Sequence, residues 1–239
     1  MQEDPRIQID GRWYVLATTA RTEVDPKTLK RDDVFGLFDR FGDIAPWDSG
    51  DQGLYVNDTR FVSRLELLLE GNRPLHLNTV VRDDGSVLAV ELMNHDLQQD
   101  GHIKVPKGTV HLLRRKLLWD GACHEQVELT NHGTTAVTLE LAMRIDADFT
   151  DLFEIRGSVR ARRGTSQPPA IVDGTLVLAY DGLDHARRQT VVRFDPAPTV
   201  LDTDSARFHI VLAPGAPVRL AWQIAFEQPE EPAPRPMGY

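Results

Sequence analysis

The most specific polar motif in the chain is Asn57-Asp58-Thr59-Arg60, which directly precedes a strand predicted to begin at Phe61. The Asp and Thr side chains can satisfy backbone groups in a turn. Arg60 can form a charge-assisted pair with a carboxylate. The first three residues also match a glycosylation sequon, which carries weight only in a secreted protein. The motif therefore predicts a polar turn next to a strand, with Arg60 available for an ion pair.

A second group of polar residues has acidic side chains at Asp146, Asp148, Asp151 and Glu154, a spacing that resembles a calcium-binding loop. An EF-hand loop needs a third oxygen ligand followed by glycine at its sharp turn. This chain has Thr150 and Asp151 at those places. The side chains of Asp146 and Asp148 would lie on one face of a strand. We therefore predict a solvated strand face that ends in a turn, and no metal site.

No histidine, cysteine or glycine motif predicts catalysis or cofactor binding. The eight histidines include no His-Glu-x-x-His, and the side chains of Cys123 and His124 would face opposite ways on a strand. The nucleophile elbow, the dinucleotide-binding fingerprint and the P-loop are absent from the sequence. Acidic residues are plentiful, but their spacing does not establish two carboxylates across a sugar. We therefore predict no catalytic residue, no metal and no cofactor.

Four arginines lie close together in the sequence, at Arg156, Arg160, Arg162 and Arg163. They leave two interpretations open. The cluster could meet an anion, or it could protect an exposed strand edge with charge, which is the more common use of such residues.

Alternation with period 2 predicts the elements that must position these residues. Apolar side chains alternate with polar ones along residues 138–149, 207–212 and 218–226, as expected for half-buried strands. Further strands are predicted at 12–19, 59–70, 75–82, 86–93, 109–118, 123–131, 155–163, 175–180 and 189–195. The segment Asp83-Asp84-Gly85-Ser86 predicts a hairpin turn. Because about a dozen antiparallel strands are expected and no long amphipathic helix, the predicted fold class is all-β, a large antiparallel β-sandwich (super-sandwich).

Composition excludes several classes of partner. The chain has 239 residues, with 27 Lys+Arg and 36 Asp+Glu, a net charge of −9. This charge argues against nucleic acid and against an anionic membrane surface as partners. No apolar stretch has the length of a membrane span, and the first residues do not resemble a signal peptide. The single cysteine fits a reducing compartment, so we expect a cytoplasmic protein.

The end of the sequence differs from the rest. Residues 227–239 are rich in proline and acid and have no apolar period. Such a segment favours an extended, semi-rigid conformation, and domain boundaries often fall in such stretches. We predict one β-sandwich domain over residues 1–226. The segment 227–239 is either a terminal tail or the start of an interdomain linker.

Four blocks of the sequence resemble the signatures of one protein family. The first is Gly53 to Ser63, similar to the signature G-L-(F/Y)-x-x-D-T-R-(F/Y)-(L/V)-S. Residues 35–44 resemble F-x-(V/L)-x-D-x-x-G-D-I, and residues 114–125 resemble R-x-R-x-x-x-x-G-x-x-H-E. Residues 145–157 resemble D-(A/F)-D-F-x-D-(L/M)-F-E-V-R-G. The blocks occur in family order, and the chain therefore resembles the N-terminal domain of bacterial and archaeal glycogen debranching enzymes of the amylo-α-1,6-glucosidase type.

This resemblance implies a non-catalytic β-sandwich that precedes an (α/α)6-barrel domain carrying the catalytic carboxylates. It implies that the chain is not an enzyme on its own, although its parent protein would be a glycoside hydrolase. The chain's own C-terminal catalytic domain would be its partner, and residues 227–239 would begin the linker. Asp148, Asp151 and Glu154 would shape an interdomain face.

Contact with an α-glucan would require aromatic platforms and planar polar groups. The candidates are Trp47, Tyr55, Asn57, Asp58 and Arg60. The alternative, which we favour, is that Trp47 packs its loop onto the sandwich. The alternative function is a freestanding sandwich that binds carbohydrate or another protein.

Overall fold

The computed structural model describes residues 6–9, 12–15, 26–45, 50–99 and 102–228. Trp47 and residues 229–239 of the predicted linker lie outside these ranges, as do residues 16–19 of the strand predicted at 12–19. Within the described ranges, no helix has the length and apolar character that crossing a membrane would require.

Strands dominate the chain, and one helical turn interrupts them. In chain order the elements are β1 (Arg6–Ile9), β2 (Arg12–Val15), β3 (Lys27–Arg31), β4 (Val34–Phe38), β5 (Gly53–Val56), β6 (Thr59–Val62), β7 (Arg64–Leu69), β8 (Leu75–Val81), β9 (Val87–Met93), β10 (Leu97–Gln99), β11 (His102–Val105), β12 (Val110–Trp119), β13 (Ala122–Asn131), β14 (Val137–Asp146), α1 (Leu152–Ile155), β15 (Thr165–Ser166), β16 (Ala170–Val172), β17 (Thr175–Asp181), β18 (Arg187–Asp195), β19 (Val200–Leu201), β20 (Ser205–Leu212) and β21 (Val218–Glu227).

Antiparallel pairing organises these strands into one nine-stranded sheet, two four-stranded sheets and two two-stranded sheets, β1-β2 and β10-β11. The nine-stranded sheet has the order β15-β17-β18-β21-β13-β12-β9-β8, with β16 also paired to β17. A four-stranded sheet has the order β19-β20-β14-β7, and a second has the order β3-β4-β5-β6. Strand β21 lies inside the large sheet, paired with β13 on one side and β18 on the other. The all-β, antiparallel prediction is confirmed.

One apolar core joins the sheets into a sandwich. The inward side chains of β12, β13 and β21 share a buried cluster with those of β7, β14 and β20. Phe208 of β20 stacks on Trp222 of β21, with ring centroids 6.3 Å apart, and meets Phe194 of β18 edge-on at 6.1 Å. Because the side-chain period of a strand is 2, the alternation read from the sequence puts the apolar faces of β14, β20 and β21 into this core.

Several strand predictions are confirmed, and one is wrong. Residues 207–212 and 218–226 lie in β20 and β21, and the turn containing Asp84 and Gly85 joins β8 to β9. The strand predicted at 138–149 ends at Asp146, and Phe149 has a left-handed φ of 49°.

Residues 155–163 do not form the predicted strand. They begin at the end of α1, whose N-cap is Asp151. The Asp151 carboxylate accepts a hydrogen bond from the backbone NH of Phe153, and the Glu154 side chain accepts one from the backbone NH of Asp151. This reciprocal capping box stabilises a helical turn where alternation suggested a strand.

Candidate functional site

The polar motif before Phe61 forms the turn between β5 and β6. Asn57 and Asp58 have φ values of 44° and 60°. Left-handed φ at both central residues of a two-residue hairpin loop is the pattern of a type I′ turn, and Asn and Asp tolerate it better than most residues. Both side chains are exposed at the tip. The predicted polar turn is confirmed.

This turn is hydrogen-bonded to the acid-rich segment that follows β14. The backbone NH of Arg60 donates to the Thr150 carbonyl at 2.9 Å, and the NH of Leu152 donates to the Asp58 carbonyl at 2.8 Å. Thr59 and Asp151 form an isolated antiparallel bridge. Two polar motifs about 90 residues apart in the sequence therefore form one surface, which we call the turn–helix surface (residues 57–60 and 148–154).

An ion pair between Arg60 and Asp148 fastens this surface. Arg60 Nε lies 3.1 Å from Oδ1, and Nη2 lies 2.5 Å from Oδ2, a bidentate arrangement. Nη1 also donates to the carbonyls of Gly50 and Gln52 at 2.7 and 3.1 Å. Burial alone would raise the pKa of Asp148, but the hydrogen bond and charge of Arg60 hold that pKa below its usual range. Arg60 thus acts as a structural cross-link in this structure.

Tyr55 lies beneath the surface rather than on it. Its side chain is fully buried, and its ring stacks on that of Phe35 with centroids 4.5 Å apart. The hydroxyl donates to the carbonyl of Asp51 at 2.6 Å. Burial raises the pKa of Tyr55 to about 12. The ring therefore presents no face to solvent here.

Two of the four clustered arginines, Arg160 and Arg163, pair with the acidic segment of the turn–helix surface. Arg160 contacts the Asp151 carboxylate at 2.8 Å, and Arg163 donates to Thr150 Oγ1 and to the Asp148 carbonyl, each at 3.1 Å. Arg160, Arg162 and Arg163 line an open cleft of about 230 Å³. Tyr180 and Leu183 also belong to the lining of this cleft. Arg160 and Arg163 therefore pair with neighbouring carboxylates in a loop, so the strand-edge interpretation is wrong, whereas anion binding by the cluster stays a prediction.

Exposed apolar side chains flank this charged cleft. Phe153 is 58% exposed, Val159 is 96% exposed and Leu183 is 53% exposed. Phe153 belongs to α1 and Val159 to the loop after it, while Leu183 lines the cleft itself. Each of the three is adjacent in sequence to a charged residue that lines the cleft, namely Glu154, Arg160 or Asp184.

A buried charge network inside the sandwich was missed by the sequence interpretation. Arg114 and Lys116 of β12 both donate to the carboxylate of Glu125 on β13, and all three side chains are essentially inaccessible. Arg114 also donates to Asp43, and Trp222 Nε1 donates to Glu125 Oε2 at 3.0 Å. The available signal was charge at inward positions of β12, in phase with Leu112 and Leu118.

Burial and the charges within the network shift the pKa values of its members. Burial would raise the pKa of Glu125, but the charges of Arg114 and Lys116 hold it below its usual value. Burial and the charge of Arg114 lower the pKa of Lys116. Cys123 projects into the same interior, and burial raises the pKa of its thiol to about 12. The next residue, His124, lies on the opposite face of the strand and is partly exposed. A thiol in this environment is a poor nucleophile.

Among the residues that the structure describes, no three His, Cys, Asp or Glu side chains are grouped so that they could hold a metal ion. The acidic residues of the turn–helix surface bond instead to arginines and to backbone NH groups. Asp151 caps α1, and Asp148 cross-links the two segments of this surface through Arg60.

The fold and these sites define a large antiparallel β-sandwich domain that has an apolar core and a buried network of ion pairs. Residues 29–223 match the family described as the N-terminal domain of (some) glycogen debranching enzymes. The chain belongs to this family, which confirms the resemblance seen in the sequence. It is therefore a domain associated with glycoside hydrolases.

One solved structure shows the same kind of fold at very low sequence identity. A "Putative kojibiose phosphorylase from human microbiome" matches with a TM-score of 0.50 and 9% identity, over 74% of this chain and 23% of that one. The chain thus spans about a quarter of that protein. A galactose mutarotase-like protein from Lactobacillus casei ATCC 334 matches with a TM-score of 0.47 and 9% identity, over 84% of this chain and 100% of that one. No curated protein matches the sequence.

Proposed function

We propose that this chain is the non-catalytic N-terminal domain of a cytoplasmic glycogen debranching enzyme with amylo-α-1,6-glucosidase activity, and that it docks on an (α/α)6-barrel catalytic domain. The observation that carries the proposal is the family match over residues 29–223. The catalytic carboxylates would belong to the barrel, and residues 227–239 would begin the connection to it.

The turn–helix surface and its exposed apolar neighbours are the proposed docking face. Asp148, Asp151 and Glu154 are each engaged by arginine or by backbone NH groups, so their geometry is fixed before any partner arrives. Phe153 and Val159 project outward beside them and would supply the apolar contact. A preorganised polar frame around exposed apolar groups lowers the entropic cost of association.

The same surface offers the proposed contacts to an α-glucan. Asn57 and Asp58 present exposed amide and carboxylate groups at the hairpin tip, and such groups hydrogen-bond to sugar hydroxyls. Arg60 and Tyr55 would act indirectly, because the first is committed to Asp148 and the second is buried. Trp47 stays a candidate aromatic platform.

Docking is tested by producing the chain and the protein encoded downstream of it as separate polypeptides and measuring their association. Phe153→Ser combined with Val159→Ser should weaken binding at least about tenfold, because these groups would occupy the centre of the contact. Val211→Ser is the matched control, since Val211 is 65% exposed on β20 and outside the proposed face. A downstream sequence that encodes no barrel would contradict the proposal and favour the freestanding sandwich.

Catalysis and sugar binding are tested on the chain by itself. Purified chain should release no glucose from limit dextrin, whereas release that survives further purification would overturn the non-catalytic assignment. Calorimetry with maltooligosaccharides at millimolar concentration tests direct contact, and Asn57→Gly with Asp58→Gly should abolish any heat of binding while keeping the turn. If the unaltered chain does not bind maltooligosaccharides, the proposed glucan contact is wrong. The proposal of docking does not depend on this result.

A further inference from the structure

A cleft of about 450 Å³ lies where the loop after β4 meets the start of β8. Its basic lining residues are Arg40, Arg73, His76 and Lys107, and no lining residue is acidic. The whole chain carries a net charge of −9, so this concentration of positive charge is unusual for the molecule. Local charge opposite in sign to the protein as a whole attracts ligands of the protein's own sign.

The wall of the cleft is rigid. Asp39 Oδ1 accepts hydrogen bonds from the backbone NH groups of Phe41 and Asp43, at 2.8 and 2.9 Å, and so fixes the loop. Arg73 pairs with Asp39 and Asp43, and its guanidinium carbon lies 3.9 Å from the centroid of the Phe41 ring. The loop that carries Arg40 therefore needs little ordering when a ligand binds, which favours affinity.

Three carboxylates behind the cleft are already matched by other cations. Asp39, Asp43 and Glu125 provide three negative charges, and Arg73, Arg114 and Lys116 provide three positive ones in the same network.

Arg40 and Lys107 are additional to this network. Within the part of the chain that the structure describes, neither side chain has a carboxylate within ion-pair distance. Arg40 lies 5.1 Å from the Phe41 centroid, and the nearby Asp96 carboxylate accepts from the backbone NH of Lys107 at 2.7 Å. Both side chains are exposed. Two cations are thus available to a ligand.

His76 adds a third group that responds to charge. Its Nε2 lies 2.6 Å from Thr79 Oγ1, and the Thr79 hydroxyl donates to the carbonyl of Arg40. Nε2 must therefore donate to Thr79, which leaves Nδ1 as the atom that gains or loses a proton. Burial and the positive charges of Arg40 and Lys27 lower the pKa of His76. A bound anion would oppose those charges.

We infer that this cleft binds a phosphoryl group, supplied either by inorganic phosphate or by a small phosphate ester, through Arg40, Lys107 and His76. A phosphate monoester carries nearly two negative charges at neutral pH and matches the two unpaired cations. Arginine and lysine are the usual protein donors to phosphate oxygens. A carboxylate would neutralise only one of the cations. This site is independent of the docking face and of glucan contact.

The test is a titration of the chain with inorganic phosphate and, separately, with glucose 1-phosphate, at constant ionic strength. Calorimetry should detect saturable binding, and the pKa of His76, followed by nuclear magnetic resonance, should rise when the site is filled, because binding and protonation are reciprocally linked. Glucose and added chloride are the neutral and ionic controls. Tighter binding of glucose 1-phosphate would identify an ester as the ligand, and equal or tighter binding of phosphate would identify the free ion.

Arg40→Gln combined with Lys107→Gln should weaken binding at least about tenfold, since both charge-assisted contacts are lost. Arg115→Gln removes one charge from another exposed arginine, on β12, that does not line the cleft, and it should leave the affinity nearly unchanged. Because Arg40 and Lys107 are exposed, the double variant should fold normally. The inference is overturned if neither phosphate nor the ester binds saturably, or if the double variant binds as well as the unaltered chain.

Discussion

Arg114 donates from Nε to the Glu125 carboxylate across neighbouring strands in the middle of the sandwich, and neither side chain is accessible to solvent. Lys116 and Trp222 approach the same carboxylate, so Glu125 serves three donors at once. An ion pair of this kind is costly to desolvate, but it is far more costly to leave incomplete.

Glu125→Gln should therefore destabilise the chain strongly. The substitution keeps the size of the side chain and removes the charge that neutralises Arg114 and Lys116, and we expect a loss of about 3–5 kcal/mol in the free energy of unfolding. Denaturant unfolding measures it. Glu128→Gln is the control, because Glu128 lies on the outer face of the same strand and pairs with Arg219 there. The Glu128→Gln variant should lose much less free energy of unfolding. Equal losses in the two variants would contradict the stabilising role given to Glu125.

The pair between Arg60 and Asp148 should appear in the dependence of stability on pH. Arg60 holds the folded-state pKa of Asp148 below the unfolded value. The pair therefore contributes its full stability above the unfolded pKa, about 3.9, and loses it as pH falls through the lower folded pKa.

In the Arg60→Gln variant, the folded pKa of Asp148 should rise, as measured by nuclear magnetic resonance of the carboxyl carbons. The free energy of unfolding of the variant should be lower than that of the unaltered chain near neutral pH. This difference in stability should become smaller as the pH falls. A pKa of Asp148 that does not move in the variant would show that its neighbouring NH groups, such as that of Thr150, hold it instead.

The thiol of Cys123 should be unreactive in the folded chain. Burial raises its pKa to about 12, so hardly any thiolate exists at neutral pH, and reagents have no access to the interior. A thiol-specific chromogenic reagent should label the denatured chain completely and the native chain only at the rate of unfolding. Rapid labelling under native conditions would mean that β13 opens to solvent without global unfolding.

The left-handed turn at the hairpin tip should tolerate glycine and resist branched side chains. Asp58 has a φ of 60° and an exposed side chain, so Asp58→Val should cost about 1–2 kcal/mol through backbone strain alone. Asp58→Gly is the matched control, because glycine adopts this conformation without strain. Thermal or denaturant unfolding compares the two. Equal stabilities would mean that the turn has rearranged.

Local patterns predicted most of the sandwich because alternation directly encodes which face of a strand is buried. The same rule failed at residues 155–163, where Ile155, Gly157 and Val159 alternate with polar residues but the segment leaves the sheet. A capping box that begins at Asp151 was the competing signal, and it decides the conformation because it satisfies backbone NH groups locally.

Pairings between distant residues could not be read in the same way. The sequence indicated that Arg60 could pair with a carboxylate, but Asp148 lies 88 residues away and becomes its neighbour only when β6 and the end of β14 meet. Asp43 and Arg114 are separated by 71 residues. Inward charges on β12 hinted at a buried network, whereas its partners depend on the folded arrangement of two sheets.

The position of β21 has a consequence for synthesis of the protein. This strand, the last one that the structure describes, lies in the interior of the large sheet, and among the described strands it alone joins β13 to β18. During synthesis on the ribosome, the two halves of that sheet cannot be joined until residues 218–227 have emerged from the exit tunnel. Until then, the edges of β13 and β18 that pair with β21 stay unpaired. Exposed edges of this kind recruit other strands. Nascent chains that pause before β21 should therefore be the species that chaperones must protect.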